Sequence, residues 1–372
     1  MIGRVIFAAT SKGAFRVEVA GTGPDDITRL MLTGHGDEHE IELSGGPYTA
    51  NVTNIGTGER QSFNFDVRQP ETVFKIESDR SRRATWRSVS EVENRPNGWI
   101  ARRKGGIALN DSEASFLPAI RMRMSTRWVD FSGSVLVNAD LPTALKLVRS
   151  GSWSANPLVR VEFEGAGGIP MQCFVPLFAG GTLVRWNNED KQVNEIVPWE
   201  PKSAAIVGSL ANSTRDELPM ILQWAAGSNE ADAIQSILHS REDPWIAAAT
   251  GLALANSARL KQSGSLLSRL ASRNPWISDL AVLAAWGRAT DSPDDAAGCL
   301  ATLSQAREGG TIFFWQTCTI ADRLLSALVS SSEPKLLRAK ARKERGLWKK
   351  LTADASRIGP CLGLPICRQI KR

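Results

Sequence analysis

The period of the hydrophobic pattern changes near residue 200, and that change limits the fold more than any other feature of the chain. Before it, apolar residues alternate with polar ones, as in Phe15-Arg16-Val17-Glu18-Val19 and Val159-Arg160-Val161-Glu162-Phe163. Alternation puts one set of side chains on a buried face and the other in water, which is the pattern of a β-strand. After it, apolar residues recur three and four positions apart between capping residues, which is the pattern of a helix. A chain of 372 residues has room for two or three domains. The expected fold is therefore an all-β sandwich over 1–78, a second β-rich domain with one short helix over 79–200, and an all-α bundle or repeat-like domain over 203–372 that ends in a basic tail.

Short strands at even spacing point to a sandwich in the first region. Ser11-Lys12-Gly13 has the composition of a hairpin turn between its first two strands. Gly45-Gly46-Pro47-Tyr48 starts a strand, Gly56-Thr57-Gly58 turns, and Phe63-Asn64-Phe65-Asp66-Val67 and Thr72-Val73-Phe74-Lys75-Ile76 follow. This run resembles a prealbumin-like β-sandwich of the carboxypeptidase-regulatory or Cna-B type. The resemblance implies a folding or presentation module rather than a catalyst. In the second region, Asp140-Leu141-Pro142 has the chemistry of a helix start, with a helix expected through Val148. Pro198-Trp199-Glu200-Pro201 is the expected linker.

Two helix starts look alike. Asp243-Pro244-Trp245-Ile246 and Asn274-Pro275-Trp276-Ile277 lie 31 residues apart, and Leu252-Ala253 and Leu283-Ala284 repeat at the same offset. Each places a capping residue before a proline at the first helical position. With Ser278-Asp279, Ala284-Ala285-Trp286 and the later Glu308-Gly309-Gly310-Thr311-Ile312-Phe313, this region resembles helical segments of bacterial proteins associated with caspase-like proteases and other conflict systems. The resemblance implies an interaction scaffold, with Trp245, Trp276 and Trp286 as partner-binding residues. It carries over no catalytic residue, because the caspase-like His and Cys motifs are absent.

The net charge of +6 is uneven. Residues 333–372 hold 12 Lys/Arg against 3 Asp/Glu, which is more than the whole excess. Lys335, Arg338, Lys340, Arg342, Lys343, Arg345, Lys349 and Lys350 fall within sixteen residues beside Trp348. A basic helix of this kind suits an anionic membrane or a nucleic-acid backbone, or forms the solvated face of a docked helix. A second basic stretch runs from Arg80 to Lys104. Its Arg82-Arg83 and Arg102-Arg103 pairs form a candidate cleavage junction between two β units.

Three histidines restrict the enzyme chemistry. His35-Gly36-Asp37-Glu38-His39 spells the H-x-x-E-H zinc pattern, which works only on a helix. A polar hairpin loop is the competing reading, and zinc hydrolysis at His35, Glu38 and His39 is the remote one. Cys173, Cys299 and Cys318 sit in apolar strand and helix patterns, as small core residues do. Cys361 and Cys367 form a near-terminal pair in a basic setting. No phosphate-binding glycine loop or nucleophile elbow occurs, and no cofactor is expected. Five scattered cysteines and no signal-peptide pattern favour a reducing cytoplasm. The expected function is non-enzymatic: an adaptor, regulator or substrate of a caspase-like protease in bacterial defence. The alternative is a nucleic-acid or anionic-membrane binder acting through 333–372.

Overall fold

The computed structural model describes residues 2–23, 27–77, 86–88, 100–103, 106–109, 118–124, 127–130, 134–138, 144–148, 158–164, 168–187, 192–214, 216–227, 243–257, 264–292, 294–309, 311–331 and 334–366. The chain forms two units, one of Met1–Ala84 with Val197–Ser236 and one of Thr85–Ile196 with Ile237–Arg372.

The first unit begins with β1 (Ile2–Ala9), β2 (Ala14–Ala20), β3 (Ile27–Thr33), β4 (Glu38–Ser44), β5 (Pro47–Asn54), β6 (Arg60–Asp66) and β7 (Glu71–Ile76). These make a three-stranded sheet, β4-β1-β7, and a four-stranded sheet, β3-β2-β5-β6. Alternate residues of both sheets, among them Val5, Phe7, Phe15, Val17, Leu32, Val52 and Ile76, fill one core, as the period-two pattern requires. The expected hairpin at Ser11–Gly13 is corrected. β1 and β2 belong to different sheets, so the segment crosses between layers, and the Thr10 N–H donates to Ile76 O on β7 at 2.8 Å.

Among the described residues, this unit also holds two helices, α1 (Pro201–Asn212) and α2 (Leu218–Ala226). The Glu200 side chain caps α1 by accepting from the Ser203 N–H. α1 lies so close to the β5–β6 turn that a Cβ on Gly208 would fall on the Ile55 carbonyl oxygen. Asn212 Nδ2 donates to that same carbonyl at 3.0 Å, and Arg16 Nη1 meets the Glu217 carboxylate at 3.4 Å. The first helices of the stretch expected as one helical domain are thus seated on the sandwich.

The second unit holds β8 (Trp86–Ser88), β9 (Ile100–Arg103), β10 (Gly106–Leu109), β11 (Ala119–Met124), β12 (Arg127–Asp130), β13 (Ser134–Asn138), β14 (Ala144–Val148), β15 (Val159–Glu164), β16 (Pro170–Val175), β17 (Thr182–Asn187) and β18 (Gln192–Pro198). The helix expected through Val148 is a correction, because 144–148 is the strand β14. Leu145 and Leu147 are both fully buried, and β13 and β17 flank the strand and supply its backbone partners. Period-two burial between two partner strands overrides the capping chemistry of Asp140-Leu141-Pro142, which lies outside the described residues.

Among the described residues, six further helices follow: α3 (Pro244–Asn256), α4 (Gly264–Arg273), α5 (Ser278–Asp291), α6 (Ala296–Gly309), α7 (Trp315–Ser330) and α8 (Lys335–Thr352). α3 is buried all round, so it is the central core helix rather than an amphipathic surface one. α5 packs against α3, α4, α6 and α7. The chain then returns to β structure in β19 (Ser356–Ile358) and β20 (Cys361–Pro365), which extend the sheet β12-β11-β15-β16-β20-β19. The basic tail expected to end the helical domain thus re-enters the sheet, where Cys361, Leu362 and Leu364 are buried. Among the described residues, no helix is long and apolar enough to cross a membrane.

Candidate binding site

α8 is a docked helix with two distinct faces. Ala341, Glu344 and Trp348 are buried at helical spacing, with Leu337 and Leu351 half-buried beside them. Glu344 is the sole acid among residues 335–350, and it faces inward. Its Oε1 accepts from Arg307 Nε at 2.6 Å and its Oε2 from Arg307 Nη2 at 3.3 Å. Arg345 binds Asp322 on α7 through Nε at 2.7 Å and Nη2 at 3.1 Å. That guanidinium holds Asp322 below the usual carboxylate range. Two forked Arg–carboxylate pairs fix the rotation of α8 on α6 and α7.

The rotation leaves a basic stripe outside. Leu336, Lys340, Lys343, Leu347 and Lys350 follow one another three and four residues apart, so they share one side of the helix. The three lysines are exposed, Leu336 is 70% exposed and Leu347 36%. Lys335, Arg338, Arg342 and Lys349 are exposed as well. The structure therefore gathers seven of the eight basic residues singled out in the sequence on the open surface of α8 and turns the eighth, Arg345, to Asp322.

The tryptophans have a different role. Trp245 is 1% exposed. Its ring lies 6.4 Å from Phe178, 5.5 Å from Trp276 and 5.9 Å from Phe313, edge to face in each case. Phe313 continues the chain of rings to Phe174 on β16 at 6.2 Å. Trp245 and Trp276 thus join the helices to the sheet of their own unit. Trp286 is half-buried on α5.

A buried carboxylate missed in the sequence holds this joint together. Asp279, in the first turn of α5, accepts from the Phe313 N–H at 3.0 Å, the Phe314 N–H at 3.1 Å and the Thr317 hydroxyl. α7 has no capping side chain of its own, so Asp279 supplies one from a neighbouring helix. Complete burial raises the Asp279 pKa to about 6 against the lowering effect of these donors. The Asn274-Pro275 helix start is corrected at the same place. Asn274 closes α4 through Leu270 O, and α5 begins at Ser278. The Asp243-Pro244 start stands, with Asp243 Oδ1 accepting from the Ile246 N–H at 3.2 Å.

The remaining singled-out residues do not converge. Gly34 and Gly36 have φ of +101° and +81°, left-handed values that no helix permits. The zinc-pattern segment is therefore a crossing between sheets, and Glu38 and His39 are neighbours on β4 that point to opposite faces. His39 Nε2 lies 3.8 Å from Asp37 Oδ1. Among the described residues, no three His, Cys, Asp or Glu side chains come together to hold a metal ion. Cys173, Cys299 and Cys361 are buried, and burial raises the Cys299 thiol to about 11 and the Cys318 thiol to about 12. Arg102 and Arg103 lie in β9, paired with Ile107 and Gly106 of β10. Arg82, Arg83 and Cys367 lie outside the described residues, as does the third histidine, His239.

Residues 223–353, about a third of the chain, match the family model of the Y4kD C-terminal domain. That span runs from the end of α2 to one residue beyond α8. None of the curated proteins matches this chain. Among solved structures, a DUF3823 family protein from Bacteroides ovatus aligns over 47% of this chain and 95% of its own, at 11% identity and a TM-score of 0.17. A likeness at that score carries no argument.

Proposed function

We propose that this protein is a non-enzymatic interaction protein that docks an acidic partner on the outer face of α8. The observation that carries the reading is the stripe of Lys340, Lys343 and Lys350 between the exposed Leu336 and Leu347. Cations flanked by exposed leucines suit a protein surface that offers carboxylates around a small apolar patch. The docking role passes from the tryptophans to this stripe, because Trp245 and Trp276 are engaged with Phe178 and Phe313. The helical resemblance to caspase-associated proteins favours a caspase-like protease of a bacterial defence system as that partner, in the cytoplasm. The prealbumin-type resemblance makes the first sandwich a presentation module within this reading.

The second reading is binding of nucleic acid or an anionic membrane through the same helix. The seven exposed cations favour it. Burial of Trp348 counts against insertion into a bilayer, since the aromatic anchor faces inward.

The test is a pull-down from native lysate with wild-type protein, with Lys340→Glu/Lys343→Glu, and with Trp286→Ala. Recovery of one protease, lost on charge reversal and kept in Trp286→Ala, supports docking on α8. Recovery of only nucleic acid or lipid that salt removes moves the function to the second reading. Retention of the protease after charge reversal overturns the assignment of the face.

A further inference from the structure

Gly346 lies in the interior of α8 and is exposed. Glycine is among the poorest residues for a helix interior, and a fold keeps one where φ is positive or where another group comes close. Neither reason is found in α8. The residue is helical, and a Cβ built on it would meet no atom of the described residues within 4 Å. Residues three and four apart are neighbours on a helix surface. The four such neighbours of Gly346 are Arg342, Lys343, Lys349 and Lys350, and all four are exposed. Leu347, 36% exposed, borders the same spot. Glu344, the single acid of α8, is turned away to Arg307, so the four cations have no counter-charge on their own helix. α8 thus presents a notch with two cations one turn before it and two one turn after it.

We propose that the notch at Gly346 is the crossing point of a partner α-helix that carries carboxylates seven residues apart with a small apolar residue between them. This rests on the docking of an acidic partner on α8 and names the element that docks. Arg342–Lys343 and Lys349–Lys350 are separated by seven residues, about 10 Å along the axis. Seven residues also return a partner helix to the same face. One carboxylate then meets each pair of cations, and the residue midway between the carboxylates faces Gly346 and Leu347. The missing Cβ lets the two backbones approach closely. A helix fits this face better than an extended segment does. A helix closes its own backbone hydrogen bonds, whereas a strand laid on α8 finds no sheet edge to pair with. A second copy of α8 does not fit, since it would set cation against cation.

The test compares binding of four probes to the full chain. They are an alanine-rich helical peptide of about 20 residues with Glu at positions i and i+7, the same peptide broken by a central proline, a thymidine oligonucleotide, and vesicles containing phosphatidylserine. The intact peptide is expected to bind at least about tenfold more tightly than the broken one. Lys343→Glu is expected to weaken it about tenfold, the size of one charge-assisted contact. Gly346→Leu is expected to weaken it about tenfold and Gly346→Ala, which adds the Cβ alone, about threefold. The melting midpoint of both glycine variants is expected to stay at or above that of wild type, because both residues are better helix formers. The same two variants should change oligonucleotide binding less than about twofold, since contact between charges needs no notch. Equal binding of the intact and broken peptides would overturn the partner helix and leave the acidic partner standing. Unchanged affinity in Gly346→Leu would overturn the crossing point in the same way. Neither peptide binding below about 1 mM would overturn the inference, while the docking reading would still be decided by loss of the lysate partner in Lys340→Glu/Lys343→Glu. Binding of the oligonucleotide or the vesicles alone, abolished by Lys343→Glu, would overturn both.

Discussion

Removing the Asp279 carboxylate tests whether the joint between α5 and α7 is built as described. Asp279→Ala takes away the acceptors of the Phe313 and Phe314 N–H groups and of the Thr317 hydroxyl. Each buried donor left unpaired costs about 1–3 kcal/mol, and the hydroxyl can turn to another acceptor, so the sum is roughly 3–5 kcal/mol. For a unit of this size that lowers the melting midpoint by about 10 °C. The pH dependence is a sharper test. With its pKa raised to about 6, the folded state holds the Asp279 proton more tightly than the unfolded chain does. The group's contribution is therefore full below the ordinary Asp value and fades as pH rises through about 6. The span of about two pKa units corresponds to about 3 kcal/mol. Asp279→Asn keeps the shape and cannot titrate, so this part of the slope disappears. Urea unfolding of wild type and Asp279→Asn at pH 4, 5, 6 and 7 reads the difference directly. Wild type is expected to lose up to about 3 kcal/mol relative to the variant between pH 4 and 7. Two curves that stay parallel would refute the argument, because they would place the carboxylate in water rather than at the start of α7.

Three further outcomes follow from the geometry. Gly208→Ala is expected to destabilise the first unit by about 1–3 kcal/mol despite the better helix propensity of alanine, because its Cβ meets the Ile55 carbonyl; an unchanged melting midpoint would show that α1 is not seated on the turn. A double-mutant cycle of Arg307→Ala and Glu344→Ala is expected to give a coupling of about 1–3 kcal/mol, since Glu344 is 6% exposed and doubly bonded; a coupling near zero would make the pair an ordinary surface contact. Alkylation at pH 8 followed by peptide mapping is expected to leave Cys299 and Cys318 unlabelled until the chain unfolds, because burial raises their thiols to about 11 and about 12. For Cys299 the thiolate is then a few hundredfold scarcer than in a free cysteine, and rapid native labelling of it would count against that burial.

What the sequence disclosed depended on whether a signal was local. Period-two alternation in Phe15–Val19 and Val159–Phe163 is a local property, and both segments are strands. Asp243 caps α3 because the residues it serves follow it within one turn. The failures lie where a distant partner decides. Leu145 and Leu147 have a strand period, yet the preceding Asp-Leu-Pro suggested a helix; only β13 and β17 on either side settle the matter. Asp279 serves donors that lie 34 to 38 residues further on, so no window around it contains its reason for being buried. The basic run of α8 combines the two cases. Its charges are visible as composition, but whether they face water or a partner depends on which side is tied down. Glu344, alone among the cations, is the clue: a single acid in a basic helix, placed at the spacing of Ala341 and Trp348, marks the inward side. Once that side is set by Arg307, the stripe through Lys340, Lys343 and Lys350 must face outward.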